Sequence, residues 1–134
     1  MKVLTFYLEE KKYGVSIEHI ITIEKNDREI TEIPNAHNAI RGVVNVRSKI
    51  CPVIDLKMVV QNIENEIDDT KKLILFEIAE KSGALLVDDT DNIMDVEQEH
   101  IEDFDNGDVK AKVVNQEGDV YVLIEMEDFD NLLN

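Results

Sequence analysis

The stretch GVVNVRSKICPVIDL, from Gly42 to Leu56, decides the fold of this chain. Its valines and isoleucines alternate with other residues, which is typical of β-strands that bury one face. Arg47-Ser48-Lys49 interrupts the alternation, so it predicts a turn between two strands of a hairpin. Val44 and Val46 would then face the core. Pro52 has no backbone donor, and it predicts that the returning strand lies at a sheet edge or bulges there.

The opposite face of this hairpin carries Val43, Asn45 and Arg47, which form an apolar strip with one guanidinium group. Arginine is enriched where proteins bind each other, because it combines stacking area with several directed donors. The strip therefore indicates a protein-binding surface. The alternative is that Arg47 is a solvated turn residue with no partner.

Alternating apolar residues continue through most of the chain and predict many short strands with little helix. Turns are indicated at 9–12 and at 116–119, and the polar segment 61–70 is the best candidate for a linker. Apolar residues at helical spacing over 126–133 predict a short terminal helix. This pattern favours an all-β barrel or sandwich.

The chain also contains an internal repeat with a shift of 70 residues. The shift places Phe6 on Phe76, and Val44 on Val114. Both halves then read as a hairpin, middle strands, a second hairpin and a helix. We therefore predict two similar small barrels, with halves at roughly 1–65 and 66–134 and the option that these halves exchange strands.

Charge is distributed unevenly over the 134 residues, whose formal net charge is −16. Residues 1–60 contain 9 Lys/Arg and 8 Asp/Glu, whereas residues 61–134 contain 5 and 22. Such a polyanion is repelled by nucleic acid and by anionic membranes, which argues against both as partners. The acidic half either serves solubility or faces a different partner from the neutral half.

No catalytic set is recognisable in the sequence. The three histidines are scattered, and Cys51, the only cysteine, reads as a buried apolar residue on a strand. The acidic run 88–92 does not fit an EF-hand loop, because Met94 stands where that loop needs glycine. We therefore predict a protein that is not an enzyme and has no cofactor or metal. The alternative is a small acidic β-barrel module that binds a ligand or metal.

The N-terminal residues MKVLTFYLEE contain no apolar segment of signal-peptide type. No run approaches the roughly 18 apolar residues of a membrane span. With a single cysteine, which excludes an intrachain disulfide, these features predict a cytoplasmic protein.

Three ordered motifs lie in the first half of the chain: YGVSI at 13–17, ITEIP at 30–34, and the stretch at 42–56. They resemble those of the CheW-like adaptor proteins of bacterial chemotaxis. The family pattern has Y-G-[IV]-x-I, then I-T-x-[IV]-P, then G-V-x-N-L-R-G-x-x-[IV]-P-[IV]-[IV]-D-L. Weaker likeness covers nearly all of the remaining chain.

The resemblance implies a single CheW-like domain over 1–134, built from two five-stranded SH3-like β-barrels side by side with short helices, one of them C-terminal. It implies a non-catalytic adaptor that links the cytoplasmic tips of methyl-accepting chemoreceptors to the regulatory domain of the histidine kinase CheA. The receptor would pack between the barrels, and hairpins at the barrel ends would bind the kinase.

The arginine of the family motif falls on Arg47, which is therefore expected to bind the receptor. The other expected receptor-binding residues are Val43, Asn45, Ile20 and Val87. Gly42, Ser48 and Pro52 are expected to shape the turn. Ser48 departs from the family pattern, which has glycine at that position, so a positive φ there would carry a cost of about 1 kcal/mol.

Overall fold

The computed structural model describes residues 1–133. Within them, short strands follow one another closely, as the alternating pattern predicts. The strands and the α-helix are β1 (Lys2–Leu8), β2 (Lys11–Ser16), β3 (Ile20–Lys25), β4 (Ile40–Val46), β5 (Lys49–Asp55), α1 (Leu56–Gln61), β6 (Lys72–Ile78), β7 (Lys81–Val87), β8 (Asp89–Asp95), β9 (Ile101–Asp105), β10 (Lys110–Gln116) and β11 (Asp119–Ile124). Three 3₁₀ helices complete the order: Ile17–His19, Gln98–His100 and Met126–Leu133.

The strands form two sheets, which build two SH3-like barrels. The first barrel is the five-stranded sheet, in the order β3-β6-β7-β5-β4. The second barrel is the six-stranded sheet, in the order β8-β1-β2-β11-β10-β9. The predicted all-β architecture is confirmed, with one more strand in the second sheet than the five expected.

The sheets do not follow a division of the chain at residue 65. Strands β1 and β2 lie between β8 and β11 of the second barrel, and β6 and β7 lie between β3 and β5 of the first. Each barrel thus takes its hairpin from one half of the chain and its other strands from the other half. Strands related by the 70-residue shift occupy the same position in opposite sheets, so the sequence repeat corresponds to a structural repeat.

The largest core cluster lies where the barrels meet. It combines side chains of β1 and β2 with side chains of β5, β6 and β7, and the C-terminal 3₁₀ helix adds Met126 and Phe129. A second cluster fills the first barrel around Val44, Val46 and Cys51. A third fills the second barrel around Val114 and Tyr121. Burial of this shared apolar surface holds the two barrels together.

Pro52 lies in an interior strand, because β5 pairs with β4 on one side and with β7 on the other. The predicted edge position is therefore wrong, and the bulge predicted as its alternative lies in β4, between Ile40 and Gly42, and not at Pro52. Pro52 stands opposite Val43, whose N–H and C=O both bond to Thr31 on the outer side of β4. The missing donor thus points towards β7, and the β5–β7 ladder begins only at Val53. Proline interrupts no ladder bond at this position.

Gly42 lies inside β4 and not in the turn. The register of β4 against β5 shifts between Ile40 and Gly42, which has a φ of 142°. A Cβ added at Gly42 would stand 2.3 Å from the carbonyl oxygen of Thr31. Glycine is therefore needed for the close approach of β4 to the segment that contains Thr31.

Candidate functional site

The turn between β4 and β5 presents Arg47 at the end of the first barrel. Arg47 and Ser48 have φ values of 51° and 69°, as expected for a two-residue hairpin turn of type I′. The side-chain oxygen of Asn45 accepts a hydrogen bond from the Ser48 N–H at 3.1 Å. Arg47 is exposed and has no hydrogen bond or ion pair within residues 1–133. Its guanidinium group is therefore available to a partner.

Arg47 borders an apolar cavity of about 170 Å³ that opens at this end of the first barrel. We call it the mouth cavity. Ile21 of β3 also lines the cavity and is 53% exposed, and Lys49 adds a second cation to its lining. The remaining lining residues are Thr22, Val46, Cys51, Leu75, Phe76, Ser82 and Gly83. An apolar opening with cations at its rim suits a partner with apolar and acidic side chains.

The equivalent end of the second barrel is closed by polar interactions. Lys12 forms ion pairs with Asp119 and Asp91, and its ammonium group lies 5.1 Å from the centroid of the Tyr121 ring. Asp91 also accepts a hydrogen bond from the Thr5 hydroxyl. The hydrogen bond to Asp119 raises the pKa of Lys12 above its ordinary value. This end therefore carries two carboxylates around its single cation, whereas the lining of the mouth cavity carries two cations.

The expected receptor-binding residues do not form one surface. Asn45 is exposed beside Arg47, whereas half-buried Val43 borders a different groove, next to Leu132. Ile20 is half-buried and packs against the shared core. Val87 is fully buried in that core, so it cannot contact a partner and its assignment is corrected.

Sequence reasoning missed Ile21, which is the exposed member of the isoleucine pair at 20–21. Because side chains of a strand alternate between faces, an error of one residue selects the wrong face. The sequence does contain a signal for Ile21, because Ile21 and Ile23 alternate with Thr22 and Glu24 and therefore share one face of the strand. Both isoleucines are exposed on β3, which is an edge strand of its sheet.

The acidic run at 88–92 takes part in internal contacts. Asp88 accepts hydrogen bonds from the Glu9 N–H and the Asn65 side chain, and it forms an ion pair with Lys71. Burial raises the pKa of Asp88, but these bonds outweigh burial and hold the pKa below its ordinary value. No group of three or more His, Cys, Asp or Glu residues in the described part of the chain could hold a metal ion.

Cys51 is buried in the first barrel with its thiol in the apolar cluster. Burial raises the pKa of this thiol, which disfavours the reactive thiolate. The environment agrees with the packing role predicted from the sequence.

No helix of residues 1–133 has the length and apolar character needed to cross a membrane.

Two SH3-like barrels, joined by a shared core and carrying an apolar cavity with cations at its rim, define a small β-barrel protein with a surface suited to protein contacts. The family model for the CheW-like domain matches residues 2–131. The chain belongs to this family.

Curated relatives show moderate identity. The chain is 29% identical to the chemotaxis protein CheW of Bacillus subtilis (strain 168) over 106 residues, which are 79% of this chain and 67% of that protein. It is 30% identical to the chemotaxis protein CheW of Thermotoga maritima over 88 residues, 65% of this chain. The matched part spans 56% of the Thermotoga protein.

A solved structure supports the fold. The crystal structure of the scaffolding protein TtCheW from Thermoanaerobacter tengcongensis superposes with a TM-score of 0.83 at 26% sequence identity. The match covers 93% of this chain and 88% of that one. The two-barrel architecture is therefore common to both proteins.

Proposed function

We propose that this protein is a non-catalytic, cytoplasmic adaptor of bacterial chemotaxis or a related chemosensory pathway, which couples chemoreceptor tips to a CheA-type histidine kinase. Membership of the CheW-like family and the names of the relatives support this role. The observation that carries the proposal is the free guanidinium group of Arg47 beside the mouth cavity.

The receptor tip would bind across the mouth cavity, at the end of the first barrel and not in the groove between the barrels that the family resemblance implies. Arg47 offers a fork of donors to receptor carboxylate or carbonyl oxygens, while Ile21 offers apolar contact. Arg47 carries no internal ion pair that would have to break first. An arginine next to an apolar opening is the arrangement expected of a binding hot spot.

The regulatory domain of the kinase would bind at the hairpins of the barrel ends. The turn of the first barrel carries Arg47 and Lys49 and would be occupied by the receptor, whereas the turn of the second barrel carries Glu117 and Asp119 and would stay open to the kinase domain. The opposite charges of the two ends would help each partner to select its own end. The acidic second barrel would also steer a basic partner surface, an effect that weakens with salt.

The test is a pull-down with a purified receptor-tip fragment. The Arg47→Glu variant should lose at least about tenfold in affinity, because the charge reversal replaces donors with a repelled carboxylate. Lys11→Glu changes the net charge equally at an exposed site on β2, and it should bind like the unmodified protein.

Circular dichroism and thermal melting would establish that both variants are folded. Equal binding by folded Arg47→Glu and the unmodified protein would reject the assignment of Arg47.

A further inference from the structure

A second groove lies between α1 and the second barrel, away from the mouth cavity. It has a volume of about 520 Å³, within the range of about 300–1,000 Å³ that is common for binding pockets. Val59 of α1, Phe104 of β9, and Val122 and Ile124 of β11 contribute its apolar lining. We call it the α1 groove.

The walls of the α1 groove expose apolar surface to water. Val59 is 42% exposed and Phe104 is 50% exposed, although each belongs to a regular element of secondary structure. Phe129 also lines the groove and is buried. Exposed apolar side chains that converge on a concave surface are typical of protein-binding grooves.

The rim of the groove carries four carboxylates and two ammonium groups. These residues are Asp103, Asp105, Glu125, Asp128, Lys110 and Lys112. Lys112 lies between two of the carboxylates, 3.8 Å from Asp103 and 3.7 Å from Glu125. The rim therefore keeps a net negative charge, and it favours a basic partner.

The structural repeat provides a reference for this charge. A shift of 70 residues relates the α1 groove to the groove beside the C-terminal 3₁₀ helix, which Val43 borders. In that groove, Ile33 replaces Asp103, Asn35 replaces Asp105 and Ile40 replaces Lys110. Within residues 1–133, no side-chain carboxylate or ammonium group lines the groove beside the C-terminal 3₁₀ helix. Because the same architecture forms with uncharged residues at 33, 35 and 40, the fold does not require charged residues at the equivalent positions of the α1 groove.

We propose that the α1 groove binds a basic amphipathic helix of a partner protein. Apolar side chains of the helix would pack between Val59 and Phe104, and its lysines or arginines would face Asp103, Asp105 and Asp128. This is the binding mode in which a helix lays its apolar face into a groove. The proposal goes beyond the adaptor function above and uses none of the residues around Arg47.

The test uses a synthetic helical peptide with leucines on one face and lysines on the other, labelled for fluorescence anisotropy. Phe104→Ala should weaken binding by about thirtyfold or more, the effect expected of a hot-spot residue. Ile93→Ala is the matched control, because Ile93 is 58% exposed on β8 and lies outside the groove. Equal affinities of the two variants would overturn the proposal.

Two double variants distinguish binding to the carboxylates of the rim from general attraction to the negatively charged protein. Asp103→Asn with Asp105→Asn should weaken binding about three- to tenfold, whereas Glu77→Gln with Glu80→Gln, which removes the same charge elsewhere, should not. Equal losses of affinity in both double variants would mean that the peptide is attracted to the polyanion as a whole, and would overturn the proposal.

Shifts of the methyl NMR signals of Val59 and Ile124 on adding the peptide would support the proposal. The Arg47→Glu variant should bind the peptide normally.

Discussion

Two adjacent residues of the β4–β5 turn adopt a backbone conformation that L-residues rarely take. Arg47 and Ser48 both have positive φ, and a residue with a Cβ loses about 1–2 kcal/mol in this region. The repeat-equivalent turn between β10 and β11 places Glu117 and Gly118 in the same conformation. The hydrogen bond from the Ser48 N–H to Asn45 offsets part of the cost in the first turn. Serine at position 48 therefore makes the folded protein less stable than glycine would at the same position.

Ser48→Gly should raise the free energy of unfolding by up to about 1 kcal/mol, because glycine adopts this φ without strain. The bond to Asn45 uses the backbone N–H, so the substitution retains it. Urea unfolding followed by circular dichroism would measure the change.

Gly118→Ala is the reciprocal control in the second barrel. A Cβ there would meet no atom within 4 Å, so only the backbone conformation matters. The free energy of unfolding of this variant should be lower by about 1 kcal/mol. A Ser48→Gly variant that is less stable than the unmodified protein would contradict the role assigned to the turn.

The outward position of Arg47 and Asn45 followed from the alternation around Val44 and Val46, which are buried. The position of Val87 did not follow, although a signal was present. Residues 84–87 are a continuous apolar run, which is typical of a strand buried on both faces. Strand β7 lies between β6 and β5 and also contributes to the shared core, so both of its faces are covered.

At the scale of elements, the polar segment after α1 is anchored to both halves of the chain. Asn65 is buried, donates from its side chain to Asp88, and donates its backbone N–H to Asp55. Arg41 of β4 forms an ion pair with Asp55 and donates to the Asn65 carbonyl. Composition predicted a linker here, but it could not identify one asparagine as an anchor.

Asp88→Asn should destabilise the protein at pH 7 by about 1.5–3 kcal/mol, the range for hydrogen bonds to charged groups. Because the folded protein holds the pKa of Asp88 below its ordinary value of 3.8, the carboxylate stabilises the fold above about pH 4. This contribution is lost as the pH falls through the folded pKa. The difference in the free energy of unfolding between Asp88→Asn and the unmodified protein should therefore narrow below about pH 4.

Urea unfolding at several pH values would measure this gap. Asp89→Asn is the matched control, since Asp89 is the exposed neighbour on β8 and accepts only from Thr90. A gap that stays constant from pH 7 to pH 2 would contradict the role of the Asp88 carboxylate.

At the scale of the whole molecule, the sequence repeat predicted two similar barrels but not which strands pair. Periodicity reports which face of a strand is buried, and it carries no information on the neighbouring strand. The pairing of β1 with β8 and of β6 with β3 joins residues that are far apart in sequence. The hairpins of both halves pack together in the shared core.

The exchange of hairpins predicts how the protein responds to cleavage between Glu66 and Ile67, which are exposed. Fragment 1–66 contains β3, β4 and β5 but lacks β6 and β7, which lie between β3 and β5 in the first barrel. Fragment 67–134 likewise lacks β1 and β2, which lie between β8 and β11. Each fragment alone should give the poorly dispersed NMR spectrum of an unfolded chain, and an equimolar mixture should recover the spectrum of the intact protein. A lone fragment that is monomeric by sedimentation and gives a dispersed spectrum would show that each half can build its own barrel.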